Sequence, residues 1–130
     1  MAAQLFFDIN TSNGVPVYEQ VARQIVAAIA SGGLEAGQMV PSVREMAKEL
    51  AINPNTVSRA YRQLQDNEVL ETVRGSGIAV ATGAKAKCKS MRSKAISQRI
   101  AHVIVEARQS QLSDDEILKM IQTEMRKKHP

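Results

Sequence analysis

Two helix-start signals stand close together, at residues 42 and 53, and the chain between them has room only for a short helix and a tight turn. Ser42-Val43-Arg44-Glu45 is an S-x-x-E capping box, in which the serine hydroxyl accepts from a first-turn amide and the glutamate reaches back to the serine amide. Asn53-Pro54 is the second signal, a good N-cap followed by a proline whose fixed φ suits the first helical position. Because the residue before a proline is driven out of helical conformation, Ala51 to Pro54 must end the first helix after about two turns. Val43, Met46, Ala47 and Leu50 give that helix its apolar stripe. Val57, Ala60, Tyr61 and Leu64, at i, i+3, i+4 and i+7, do the same for the second.

With that stripe committed to a core, the second helix turns Asn55, Thr56, Ser58, Arg59, Arg62 and Gln63 outward. Asn and Gln can pair bidentately with adenine, Arg with guanine or phosphate, and Thr offers a methyl and a hydroxyl to thymine or the backbone. Two short helices with such an outer face make a helix-turn-helix, although a polar outer face is also the ordinary condition of a surface helix. The next segment tips the balance. Asn67 can close the helix in a left-handed conformation, Val69 to Val73 reads as a strand, and Ile78 to Ala81 reads as its return. Between them lies Arg74-Gly75-Ser76-Gly77, a hairpin whose glycines supply positive φ and let the backbone approach a phosphate. Arg74 at its tip is placed for a narrow minor groove, where the negative potential is enhanced. Such a hairpin is a wing.

Upstream, a helix is expected from Pro16, with Val17, Val21, Ile25, Ala28 and Ile29 at helical spacing and a stop at Ser31-Gly32-Gly33. Leu5 to Ile9 is apolar enough for a short strand, and Asn10 to Gly14 and Ala36-Gly37 have the composition of turns. Seventeen Lys and Arg against thirteen Asp and Glu leave a net charge of +4, which favours polyanionic partners. With no Trp and 3% aromatic residues, the core must be aliphatic, and 130 residues exclude a large multidomain enzyme. Cys88 is alone, so no internal disulfide forms. Residues 1 to 10 lack the pattern of a secretory signal and no apolar run approaches membrane-spanning length, so a soluble, cytoplasmic protein without a membrane partner is expected.

Taken together, Ala36-Gly37, Pro41-Ser42-Val43-Arg44-Glu45, the run Asn53-Pro54-Asn55-Thr56-Val57-Ser58-Arg59-Ala60-Tyr61 and Arg74-Gly75-Ser76-Gly77 resemble the GntR family of transcriptional regulators over roughly residues 4 to 81. Pro16-Val17-Tyr18-Glu19-Gln20, the third-helix run and the short tail look most like its YtrA-like subfamily. The resemblance implies DNA contacts from Arg44, Asn55, Thr56, Arg59, Arg74 and Gly75. Ser42 and Asn53, at helix N-termini that offer free amides and positive dipole ends, lie where phosphate contacts are expected, and Gly77 belongs to the same wing. The sequence also departs from the family. Pro54 and Ser58 stand where relatives with larger effector domains often carry arginine, so their base preference does not transfer. Ala51 occupies a turn position that is usually Gly, and Ser76 and Ala79 replace common basic and aromatic wing residues.

The expected fold is mainly α with a small β-wing: a winged helix-turn-helix over residues 1–82, a basic linker over 83–94, and a two-helix module over 95–130. The linker carries Lys85, Lys87, Lys89, Arg92 and Lys94 without an acidic residue; it can trail along phosphates or simply remain solvated. Ile96, Ile100, Val103, Ile104 and Ala107 form one stripe. After a break near Ser110 to Leu112, the capping box Ser113-Asp114-Asp115-Glu116 starts a helix with Ile117, Leu118, Ile121 and Met125 on its stripe. A hairpin this small cannot bury both stripes within itself, so they dock on the reader domain or, as we favour, on a second chain. The YtrA-like resemblance implies that these helices are the dimerisation module.

Several isolated residues admit sharper readings. Lys87 and Lys89 beside Cys88 suggest a lowered thiol pKa and a redox role, but an incidental free thiol is the plainer reading. His102 and His129 lack companions at metal-ligand spacing, the six Met residues suit packing, and the acids at 114–116 are accounted for by the helix dipole. No metal and no cofactor are expected, no effector pocket is legible, and a small-molecule effector stays open. Three functions compete: the expected one, a sequence-specific dimeric regulator that represses from a pseudo-palindromic operator on double-stranded DNA; a non-specific architectural DNA-binding protein; and an enzyme, against which the absence of a nucleophile–base pair or phosphate-binding loop argues.

Overall fold

The computed structural model describes residues 9–128, which form two compact units, one running to Arg92 and the other starting at Ser93. The apolar segment read as a strand from Leu5 lies outside the described residues except for Ile9, which packs on the core, and His129 lies outside them as well. In chain order the elements are α1 (Val17–Ala30), α2 (Val43–Leu50), α3 (Pro54–Asp66), β1 (Leu70–Val73), β2 (Gly77–Val80), α4 (Ala84–Gln109) and α5 (Asp114–Arg126).

In the first unit α3 packs against both α1 and α2, and the apolar stripes meet. Val21, Ile25, Ile29, Leu34, Met46, Val57, Tyr61, Leu64, Val69, Leu70 and Val80 are all within 2% of complete burial, so among the described residues the fully buried core is largely aliphatic, with Tyr61 its one aromatic side chain. That tyrosine keeps its polar end satisfied: the Tyr61 hydroxyl donates to the Pro41 carbonyl at 2.7 Å, tying α3 to the entry of α2.

α1 begins one residue later than the sequence suggests. Pro16 is its N-cap, with ψ of 140° keeping it extended, and Val17 is the first helical residue. The preceding loop is held by Gln20, which is buried although polar. Its Nε2 donates to the carbonyls of Asn10 (2.6 Å) and Val15 (2.9 Å), and its Oε1 accepts from the Asn10 amide at 2.8 Å.

Three helices end on a left-handed residue that is not glycine: Ala51 (φ 55°), Glu68 (φ 61°) and Gln111 (φ 69°). Each closes with the same pair of bonds. The amide of Ile52 donates to Ala47, that of Val69 to Leu64 and that of Leu112 to Ala107, while Ala51, Glu68 and Gln111 donate to Lys48, Gln65 and Arg108. The left-handed turn after α3 therefore falls on Glu68 and not on Asn67, whose φ is −85°. The geometric reason is that an apolar residue, Val69, must follow the turn to reach the core, where it is fully buried.

β1 and β2 pair antiparallel, with Leu70 opposite Val80 and Val73 opposite Gly77. The free edge of β2 is also paired. Met39 bridges Ala79, with Val40 donating to Ile78, Val80 to Gln38 and Gly37 to Val80. This short third partner covers an edge that would otherwise expose unpaired amides and carbonyls.

The largest departure from the sequence reading is the basic stretch over residues 83–94. It is not an irregular linker: from Ala84 it is the first part of α4. Ala84 and Cys88 are completely buried in the first unit's core and Met91 packs against it. Burial raises the Cys88 thiol above its ordinary range, the opposite of the lowered value that a redox role needs. In the second unit, α4 runs on to Gln109 and α5 follows the expected capping box, with Glu116 donating to the Ser113 hydroxyl and Ser113 to the Glu116 carboxylate. An exposed Arg108–Asp114 ion pair spans the turn.

Candidate nucleic-acid interface

α3 is presented by its own start. The Asn53 side chain accepts from the Asn55 amide at 2.8 Å and Pro54 occupies the first position. The burial of Val57, Ala60, Tyr61 and Leu64 then fixes the helix rotation. Asn55, Arg59, Arg62 and Gln63 are exposed, and Thr56 and Ser58 are half-buried. At 100° per residue, Asn55, Arg59 and Arg62 fall within about 60° of one another, so they form one ridge.

The start of α2 presents a second exposed polar surface. Glu45 donates its amide to the Ser42 hydroxyl at 3.1 Å and Ser42 donates to the Glu45 carboxylate at 3.3 Å. With the box closed, the amides of Val43 and Arg44 are the first-turn donors left for an anion, and the Arg44 side chain is exposed beside them. The wing presents Arg74, Gly75 and Gly77, all exposed. Gly75 (φ +78°) has open space around it and is required by its backbone angle. At Gly77 (φ +124°) a Cβ would also press on the Met39 methyl at 3.1 Å.

Ion pairs engage four of the described cations and leave these arginines out, as they do Lys85, Lys89, Arg92 and Lys94 of the basic stretch. Among the described residues, the carboxylate pairs are Arg23–Glu19, Lys87–Glu68, Arg108–Asp114 and Lys127–Glu124. Arg44, Arg59, Arg62 and Arg74 have no such partner, so their charge is available to a polyanion. Arg59 has a different neighbour, which the sequence did not disclose. Its guanidinium carbon lies 3.8 Å over the ring centroid of Tyr18, in the first turn of α1. Lys87 of the basic stretch is engaged by Glu68, whose carboxyl that ammonium holds below its ordinary range. The two flank a shallow groove of about 460 Å³ that Gln65 and Thr72 also line.

In the second unit the predicted apolar residues divide. Ile117 is buried and Ile104 and Ala107 are half-buried, whereas Ile96, Ile100, Val103, Leu118, Ile121 and Met125 are exposed, Val103 at 60% and Met125 at 80%. Val105 and Met120, which the stripes did not include, are exposed too. His102 is exposed, and among the described residues no three His, Cys, Asp or Glu side chains gather as a metal site. No helix of the described residues is long and apolar enough to cross a membrane.

Residues 17–80 match the family of bacterial regulatory proteins named gntR. Over 99 residues, 76% of each chain, the sequence is 33% identical to the HTH-type transcriptional repressor YtrA of Bacillus subtilis. Among solved structures, a transcriptional regulator from Oenococcus oeni superposes with a TM-score of 0.77 at 31% identity, covering 92% of this chain and 99% of that one. The DNA-binding domain of AraR in complex with operator ORE1 superposes with a TM-score of 0.50 at 25% identity, over 58% of this chain and 93% of that one.

Proposed function

This chain belongs to the GntR family of bacterial regulatory proteins and is a DNA-binding transcriptional regulator, and we propose that it works as a homodimeric repressor of a pseudo-palindromic operator. The observation that carries the proposal is the outward ridge of α3: two guanidinium groups and a carboxamide, exposed and free of carboxylate partners, on a helix whose rotation is fixed by its buried stripe. Asn55, Arg59 and Arg62, with Thr56 and Ser58, read base edges in the major groove. The first-turn amides and side chain of Arg44, the caps Ser42 and Asn53, and the wing residues Arg74, Gly75 and Gly77 hold the backbone and fix the register. The operator complex of the AraR domain supports this use of the fold, and the repressor name of the YtrA relative supports the sign of regulation.

Two copies are the natural unit. Six of the eight exposed large apolar side chains of α4 and α5, those on the predicted stripes, make a surface that a stable monomer rarely leaves in water, and a second copy covers it with the same residues. Two-fold pairing then matches two recognition helices to two half-sites. The test is a genomic-fragment binding selection at physiological salt with competitor DNA. A single two-fold-symmetric motif upstream of a few genes is the expected result; enrichment without a motif would replace specific regulation with an architectural role.

A further inference from the structure

From the stacking of Arg59 on Tyr18 we propose that Tyr18 is a positioning residue for DNA recognition: it holds the Arg59 guanidinium as a ready-made donor at the edge of the α3 ridge. The inference rests on the reading of Arg59 as a DNA contact. The guanidinium carbon sits 3.8 Å from the ring centroid, within the range of a cation–π contact. The ring itself is anchored, because Tyr18 is half-buried and packs against the core of the first unit. A long arginine side chain on an exposed helix face ordinarily samples many rotamers and loses that freedom on binding. Stacked on a fixed ring, Arg59 has given up much of it beforehand.

The chemistry of the stack leaves the group competent to read. A guanidinium lying on a ring uses its π face, while its N–H donors point outward in its own plane and remain free for a base edge or phosphate. Among the described residues no carboxylate pairs with Arg59 to compete for those donors. Arg62, one turn further along the same ridge, has no aromatic neighbour of this kind among the described residues, so the ridge carries one pre-positioned guanidinium and one free one.

The test uses full-length protein, a duplex recovered by in vitro selection from a random library, and a scrambled duplex of the same composition. Arg59→Ala is expected to lose affinity for the selected duplex and not for the scrambled one. Tyr18→Ala should weaken the selected duplex about threefold to tenfold, as loss of one cation–π contact would. Tyr18→Phe should restore it, because the ring face is what matters. In an Arg59→Ala background, Tyr18→Ala should add no further loss. Additive losses, or a Tyr18→Ala protein that binds the selected duplex as tightly as the parent or tighter, would overturn the role of Tyr18 alone. Thermal melting of each variant separates this from a clamp between α1 and α3: a melting temperature that falls while the folded protein keeps its affinity also overturns it. If Arg59→Ala costs nothing on the selected duplex, or no duplex is selected, the underlying reading fails and the proposal falls with it.

Discussion

The hydroxyl of Tyr61 on α3 donates to the carbonyl of Pro41, just ahead of α2, in a bond that is buried and 20 residues apart in sequence. It couples the recognition helix to the helix that precedes it, so the angle between the two depends on a proton staying on Tyr61. Burial, reinforced by the nearby Glu45 and Glu49 carboxylates, pushes this phenol well above its ordinary value of 10.0. A raised folded pKa means stability that is complete below about pH 10 and is lost progressively as pH climbs beyond it. Tyr61→Phe is expected to cost about 1–2 kcal/mol at neutral pH, from the lost bond and the stranded Pro41 carbonyl. The gap between parent and variant should close above pH 10, measured by urea unfolding across that range. A gap that stays constant would mean that the proton is not the linked species.

Gln20 makes a comparable connection for the loop before α1, with three bonds to Asn10 and Val15. Gln20→Leu keeps the volume and strands those backbone groups, so a loss of about 1–3 kcal/mol is expected in denaturant unfolding. Amide exchange at Asn10 should accelerate in the same variant; unchanged exchange would show that the loop is held by something else.

Ala51 occupies a left-handed conformation between the two helices of the motif, where a Cβ is penalised. Ala51→Gly removes that penalty and adds chain entropy to the unfolded state, leaving a net gain of about 0.5–1 kcal/mol. Differential scanning calorimetry reads the change directly. A lower melting temperature would mean that the alanine methyl contributes packing worth more than the strain.

These cases show where the sequence was readable. Ser42 and Ser113 announced their helices because a capping box writes both ends of two hydrogen bonds within four consecutive residues, and both boxes close as expected. Asn53-Pro54 and the stripe from Val57 to Leu64 worked for the same reason, since all the determinants are local. What escaped depends on distant partners. The start of α4 looked like a linker because its basic side chains are all exposed and its only deep contacts, Ala84 and Cys88, are small residues four apart among lysines. Alanine and lysine are good helix formers, but that preference is weak beside a patterned stripe. The bridge of Met39 to Ala79 and the stack of Arg59 on Tyr18 join segments about 40 residues apart, where no periodicity reaches. The left-handed Glu68 and Gln111 lack the glycine that would have marked them.

Base-reading and backbone-holding side chains should respond differently. Asn55→Ala is expected to cost about 1–3 kcal/mol on the operator and little on random DNA. Lys85→Ala on α4 should leave sequence preference intact, and if that ammonium meets a phosphate it lowers the slope of log affinity against log salt by about 1. Titrations on both duplexes at several salt concentrations distinguish the two. Equal losses for Asn55→Ala on both would remove it from the set of base readers.

The dimer proposal meets its test at Val103, which is 60% exposed on the α4 stripe and carries no core role in the single chain. Val103→Asp places a carboxylate on the exposed apolar stripe of α4, with Ile96 and Ile100. In a two-fold pair the same charge enters from each copy, so the penalty of burying it falls on the interface twice and not on either monomer. The expected product is a folded monomer in analytical ultracentrifugation, with the parent's helical content and sharply reduced operator affinity. Truncation would be a poorer probe. A cut at Gly83 removes Ala84 and Cys88 from the core of the first unit and so confuses loss of partner with loss of stability. If Val103→Asp remains a dimer, pairing runs through another surface, and the exposed Val105 and Met120, which lie off the predicted stripes, become the next positions to substitute.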